Sequence, residues 1–165
     1  GATMGFPIDR LRLPHMSTIR DFMAHDHLHC DGVLARTESL VAAQDWNAAA
    51  AAFAQFQTLV LQHFAAEESV LFPAFEDKSG MRMGPTQVMR GEHAQMRQLM
   101  DACAAALQAS DADDYAGYAD TLLTMMQQHN VKEENVLYPM CDQHLADQAT
   151  VLVPQLQSLM PGRTE

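Results

Sequence analysis

The chain has 165 residues, 48% of them apolar, and a formal net charge of −11; that length favours one domain with a sizeable core. So acidic a surface repels nucleic acid and anionic lipid, which argues against both as partners, and it suits cations. The three cysteines, Cys30, Cys103 and Cys141, are widely spaced and form no Cys-x-x-Cys pair, which argues against a disulfide framework or a zinc knuckle and fits a reducing cytoplasm.

Gly1 to Thr3 resemble a cloning scar, and residues 1–17 read as an N-terminal arm. No stretch has the layout of a secretion signal, and no apolar run approaches the roughly 18 residues of a membrane span. Alanine and methionine are plentiful and β-branched residues few, which favours helix. A first helix is predicted from Thr18 to Ala43, with Thr18 and Asp21 in a capping arrangement and Ile19, Phe22, Met23, Cys30, Leu34 and Val41 at helical spacing. Asp45 is suited to cap a second helix that runs to about Phe75. Asp77 to Gly84 reads as a loop, and Pro85 is placed to open a third helix that ends near Ala109. Asp111 to Asp114 supply the next turn and cap, and a fourth helix reaches about Pro139 or somewhat beyond. Pro73 and Pro139 should kink or end their helices. A short tail helix is predicted over Asp147 to Leu159. The chain thus divides into an arm (1–17), an all-α four-helix bundle (18–146) and a tail (147–165).

An internal repeat organises the bundle. His63-Phe-Ala-Ala-Glu67-Glu68-Ser-Val-Leu-Phe-Pro73 recurs as His129-Asn-Val-Lys-Glu133-Glu134-Asn-Val-Leu-Tyr-Pro139, an offset of 66 residues from position 63 to position 129. The same offset carries Asp26-His27 onto Glu92-His93, Cys30 onto Met96 and Phe56 onto Leu122. Two copies are too few for a solenoid and suit two helical hairpins related by a pseudo-twofold axis. Antiparallel helices set residues equally far from their turn at one level. The midpoints of His27 and His63, of His63 and His93, and of His93 and His129 fall at positions 45, 78 and 111, in or beside the three predicted turns. All four histidines therefore share one height in an up-down-up-down bundle.

His63 and Glu67 are four residues apart on one helix face, as are His129 and Glu133. An ionised carboxylate on an interior face is costly unless it is paired or metal-bound. Imidazole suits iron, zinc, copper and nickel, and four histidines with two glutamates and no thiolate most readily make a dinuclear iron site, with the glutamates bridging. The methionines, Met96, Met100, Met125 and Met126 among them, read as core filler. His25 and His29 lie off the His27 stripe and read as surface residues. His15 and His144 have no repeat partner, and Cys141-x-x-His144 reads as a bundle end. Asp26, Glu92, Glu68 and Glu134 are placed either to orient neighbouring imidazoles or simply to face solvent, and Asp31 and Arg97, matched by the repeat, are equally open between a contact near the site and a surface role. Glu-x-x-His, His-Glu-x-x-His, a glycine-rich phosphate loop and Gly-x-Ser-x-Gly are all missing from the sequence.

The first-helix histidine, the two His-x-x-x-Glu-Glu stretches with aromatic-Pro endings and the Glu-His pair on the third helix together resemble the hemerythrin HHE cation-binding family, over roughly Thr18 to His144. The resemblance implies a left-handed four-helix bundle, a non-heme di-iron centre with an oxo or hydroxo bridge, and reversible binding of small diatomic ligands. Carried over by position, His27 and His63 would hold one iron, His93 and His129 the other, and Glu67 and Glu133 would bridge; the repeat favours Glu133 over Glu134. Oxygen-carrying hemerythrins have a further histidine four residues after the third-helix one. Here that position is Arg97, which leaves one iron with an open or water-filled position. The expected function is binding or sensing of oxygen or nitric oxide. The alternative is a redox enzyme acting on peroxide or nitric oxide, or an iron donor in repair of damaged iron centres.

Overall fold

The computed structural model describes residues 18–163. Four antiparallel arms form the bundle. The first is α1 (Ile19–Ala42). The second is α2 (Trp46–Ala66) continued by α3 (Phe72–Ser79). The third is α4 (Pro85–Gln108). The fourth is α5 (Ala112–Lys132) continued by α6 (Tyr138–His144). Arms adjacent in sequence pack against each other, and α1 closes the bundle on α5 and α6. A last helix, α7 (Ala149–Leu159), packs on the second arm where α2 gives way to α3. No strand occurs among the described residues. This is the all-α, up-down-up-down arrangement expected from the spacing of the turns; the N-terminal arm and His15 lie outside the described residues.

The helix ends follow the capping chemistry of the sequence. Thr18 Oγ1 accepts from the Asp21 N–H at 2.9 Å, Asp45 Oδ1 from Ala48 at 3.3 Å and Asp111 Oδ1 from Asp114 at 3.0 Å. Pro85 opens α4. Two further donors of α1, the Ile19 and Arg20 N–H groups, are met by the Asp142 carboxylate at 2.8 and 3.1 Å, which also places negative charge at the positive end of the helix dipole. The two hairpin turns are copies of each other. In each, the Asp N–H reaches back five residues, to Leu40 and to Ala106, and the residue before it is left-handed: Gln44 at φ 58° and Ser110 at φ 53°. Neither is glycine.

Both proline-bearing arms solve the same problem in the same way. Instead of ending at Pro73 and Pro139, the helix widens by one residue just before them, over Glu67–Leu71 and Glu133–Leu137, with Phe72 and Tyr138 N–H bonding the carbonyls five residues back. The proline next in line has no N–H to offer, so the carbonyls of Glu68 and Glu134 lose their partners. Arginine side chains from neighbouring arms replace them: Arg90 Nη1 donates to Glu68 O at 3.3 Å and Arg20 Nε to Glu134 O at 2.7 Å. The second arm consequently runs on to Ser79, past the expected end near Phe75, and the fourth to His144.

The apolar core is split in two. One cluster, including Phe53, Phe56, Met100, Tyr115 and Leu122, fills the end of the bundle near the two copied turns. The other, including Ile19, Leu71, Phe72, Phe75 and Leu156, fills the end covered by α7. Each large side chain buried in them is worth about 1.5–3 kcal/mol. Between the clusters lies a polar layer.

Candidate metal centre

One residue from α1, one from α4 and a His-Glu pair from each remaining arm form that layer. His27, His63, Glu67, His93, His129 and Glu133 are all buried, both glutamates completely. The rings pair by half: His27 and His63 have centroids 4.8 Å apart, His93 and His129 5.0 Å apart. The six residues expected as ligands are therefore brought together in one layer. The widened turns begin at Glu67 and Glu133, and they turn Glu133 inward while Glu134 faces out to the back of His27.

Each imidazole is held from behind by a carboxylate on its Nδ1. Asp26 Oδ2 lies 2.8 Å from His63, Glu92 Oε1 2.9 Å from His129, Glu134 Oε2 2.8 Å from His27 and Glu68 Oε2 3.2 Å from His93. The four contacts obey the 66-residue repeat. A carboxylate can only accept, so each Nδ1 carries the hydrogen and each Nε2 presents its lone pair to the centre. The carboxylates are anchored in turn. Arg163, beyond α7, donates to Asp26 Oδ1 at 2.8 Å; Lys132 pairs with Glu92; Arg97 donates to both oxygens of Glu68, at 2.7 and 3.2 Å. Arg97 thus acts through Glu68 on His93, and Asp31, its repeat counterpart, is exposed.

Inside the ring of histidines, acceptor faces acceptor. His93 Nε2 lies 3.2 Å from Glu67 Oε1, and His129 Nε2 3.2 Å from Glu133 Oε1. Yet Glu67 Oε1, His93 Nε2, His129 Nε2 and Glu133 Oε2 are buried without a hydrogen-bond partner. Lone pairs at that distance repel unless a cation or a proton lies between them. Two clusters have their ligand atoms close enough to share an ion: Glu67, His93, His129 and Glu133, and His27, His63 and Glu133. In the metal-free protein protons take this place. Burial pulls the His129 pKa down, but Glu133 outweighs it and brings the ring to about 9. His63 is likewise raised well above its usual value, burial being overcome by Glu67 and Asp26. Burial raises Glu67, and His63, Glu133 and His93 together hold it well below the normal carboxylate range.

One group was not singled out in the sequence. Tyr138 is fully buried, and its hydroxyl reaches the same layer. Its repeat counterpart is Phe72, so the phenylalanine-to-tyrosine difference between the two aromatic-Pro endings was the available signal. A second break in the symmetry is Phe64 against Asn130. Phe64 stacks on His93 at 3.8 Å, and Phe72 lies 5.8 Å from the same ring. Around the other pair, His27, Cys30, Val60, His63, Phe64, Met126 and Asn130 line a small cavity with room for about one water-sized molecule. The visible space borders His27 and His63.

The other histidines stay outside the cluster. His25 is exposed, His29 is half-buried, and His144 packs edge-on to Phe75. Cys141 is buried in the apolar cluster, where burial pushes its thiol pKa up, so Cys141-x-x-His144 is a bundle end, not a ligand pair.

A four-helix bundle whose interior carries converging, carboxylate-backed imidazoles and bare carboxylate oxygens is a cation-binding bundle in kind. Residues 18–141 match the hemerythrin HHE cation binding domain, and the chain belongs to that family. No curated protein and no solved structure matches it. No helix among the described residues is long and apolar enough to cross a membrane.

Proposed function

We propose that the protein holds two non-heme iron ions and uses them to bind or sense a small diatomic ligand, oxygen or nitric oxide. His27 and His63 would hold one iron and His93 and His129 the other, with Glu67 and Glu133 shared between them. The observation that carries this reading is the set of inward lone pairs and carboxylate oxygens, fully buried and lacking partners. A cation pair removes the repulsion between them, and nitrogen–carboxylate donor sets without thiolate suit iron. When bound, iron supplies reversible redox and ligand-binding capacity. The chain's own residues hold the imidazoles in one tautomer and keep bulk water out with the two flanking apolar clusters. The three free cysteines, Cys30, Cys103 and Cys141, fit a protein of the reducing cytoplasm.

A second reading, turnover of peroxide or nitric oxide, draws on Arg97. It stands where an oxygen carrier has another histidine and is committed to Glu68, so the His93–His129 half has fewer protein donors. Exposure of the reduced, iron-loaded protein to oxygen separates the two readings. A spectral change that reverses on deoxygenation is the expected result for binding. One-way oxidation, with peroxide consumed faster than by free iron, would replace it with the enzyme.

A further inference from the structure

The repeat makes the two halves of the site alike except at Tyr138 and Phe64, and the Tyr138 hydroxyl lies against the ligand atoms themselves. It is 2.8 Å from Glu67 Oε2, 3.0 Å from Glu133 Oε1, 3.2 Å from His27 Nε2 and 3.2 Å from His63 Nε2. His27 Nε2 is itself 3.1 Å from Glu133 Oε1. These spacings have a meaning. Donors at about 2.1 Å from an octahedral ion, at right angles to one another, lie about 3 Å apart. In an octahedron each vertex has four such neighbours. The Tyr138 oxygen has four, two nitrogens and two carboxylate oxygens, all of them donors of the proposed centre.

A purely structural hydroxyl would need one acceptor, and a tyrosine chosen only to fill space would be phenylalanine, as position 72 is. Rigidity adds to the case. Tyr138 sits at the end of the widened turn and is followed by Pro139; its N–H bonds Glu133 O. Its ring stacks on His27 at 5.7 Å.

We infer that Tyr138 is a protein ligand of the iron held by His27 and His63, its phenolate oxygen filling a position that the His93–His129 iron, facing Phe72, has no counterpart for. On binding iron(III), the phenol O–H bond breaks, an iron–oxygen bond forms and the proton leaves to solvent; no electron is transferred. The two irons are then chemically distinct: one carries a hard, anionic oxygen donor and the other does not. Phenolate is an established type of iron donor in proteins.

This inference rests on the di-iron reading above, and the test separates their failures. Iron per chain and resonance Raman spectra excited in the visible would be measured on oxidised, iron-loaded protein. The expected result is two irons per chain with a phenolate-to-iron(III) charge-transfer band and enhanced tyrosinate ring modes. Both should vanish in Tyr138→Phe and persist in Tyr118→Phe, an exposed control. Two irons with no tyrosinate modes in the unmodified protein would overturn the ligand assignment and leave the di-iron reading standing; that spectrum decides the matter even if Tyr138→Phe fails to fold. Fewer than two irons would overturn both.

Discussion

Replacing Asp26 with asparagine keeps the shape of the side chain and removes its charge. In the folded protein that carboxylate is almost fully buried, accepts from His63 Nδ1 at 2.8 Å and is itself held by Arg163 at 2.8 Å. Burial alone would raise its pKa; His63 and Arg163 hold it below the normal range instead, so it is ionised at any pH of interest. Losing the charge has two separable consequences. The first is on metal: the His63 ring loses the partner that fixes its tautomer and raises its basicity, and such a change typically weakens metal binding about 10- to 100-fold, or about 1.4–2.8 kcal/mol. The second is on the metal-free fold: two charge-assisted hydrogen bonds become neutral ones, and about 2–3 kcal/mol of stability goes with them. Competition titration of the metal against a chelator measures the first, and urea unfolding of the metal-free protein the second. The matching change on the other half, Glu92→Gln, should act in the same direction and less, because Glu92 is more exposed and shared with Lys132. If Asp26→Asn binds metal as tightly as the unmodified protein while remaining folded, the claim that the carboxylates behind the imidazoles organise the site is wrong.

Glu133→Ala should abolish loading of two irons, whereas Glu134→Ala should retain both with weaker affinity; iron analysis of the two purified variants checks the inward assignment of Glu133. Metal binding requires neutral imidazole, and His129 is protonated in the metal-free protein up to about 9 against an ordinary 6.5. Its raised pKa stabilises the metal-free fold fully below pH 6.5 and ceases to do so as pH passes about 9, so across that window apparent metal affinity should climb, by about tenfold per pH unit for each proton displaced. Cobalt(II) titrations at several pH values would show this, and a flat profile would contradict it. Stripping the metal should lower the melting temperature by about 10–20 °C when free metal was at 100 times its dissociation constant, a linkage of about 2.7 kcal/mol for each of the two ions; calorimetry before and after chelation reads it. Gln44→Gly and Ser110→Gly each relieve a left-handed residue in a hairpin turn and should stabilise the fold by about 1 kcal/mol in urea unfolding, with metal content unchanged.

Much of this architecture is written locally and could be read before the structure. The threonine and aspartate caps, Pro85 and the 66-residue repeat depend on residues a few positions apart or on a simple translation, and the common height of the four histidines follows from where the turns fall. What was not legible depends on partners far apart in the chain. Nothing near Glu68 or Glu134 announces that Arg90 and Arg20 will take their carbonyls, so Pro73 and Pro139 read as kinks or ends when the helices widen there and run on. The Asp142 cap on α1 and the Arg163 clamp on Asp26 join residues more than a hundred positions apart. Between two readings of Asp26, Glu68, Glu92 and Glu134, solvated or orienting, only the packing could choose. Tyr138 was in view as part of an aromatic-Pro ending; its hydroxyl became meaningful once the widened turn aimed it at the ligand layer. Arg97 shows the converse. Its identity marked a departure from the oxygen carriers, but its bond to Glu68 depends on a helix 29 residues away in the chain.

The central claim is that two irons sit side by side in one buried layer, each between a pair of these histidines. Crystals of the iron-loaded protein, measured for anomalous scattering at the iron absorption edge, test it directly. Two peaks about 3.5–4 Å apart are expected, one against His27 and His63 and one against His93 and His129, with Glu67 and Glu133 reaching both. A single peak, or peaks away from these residues, would contradict it.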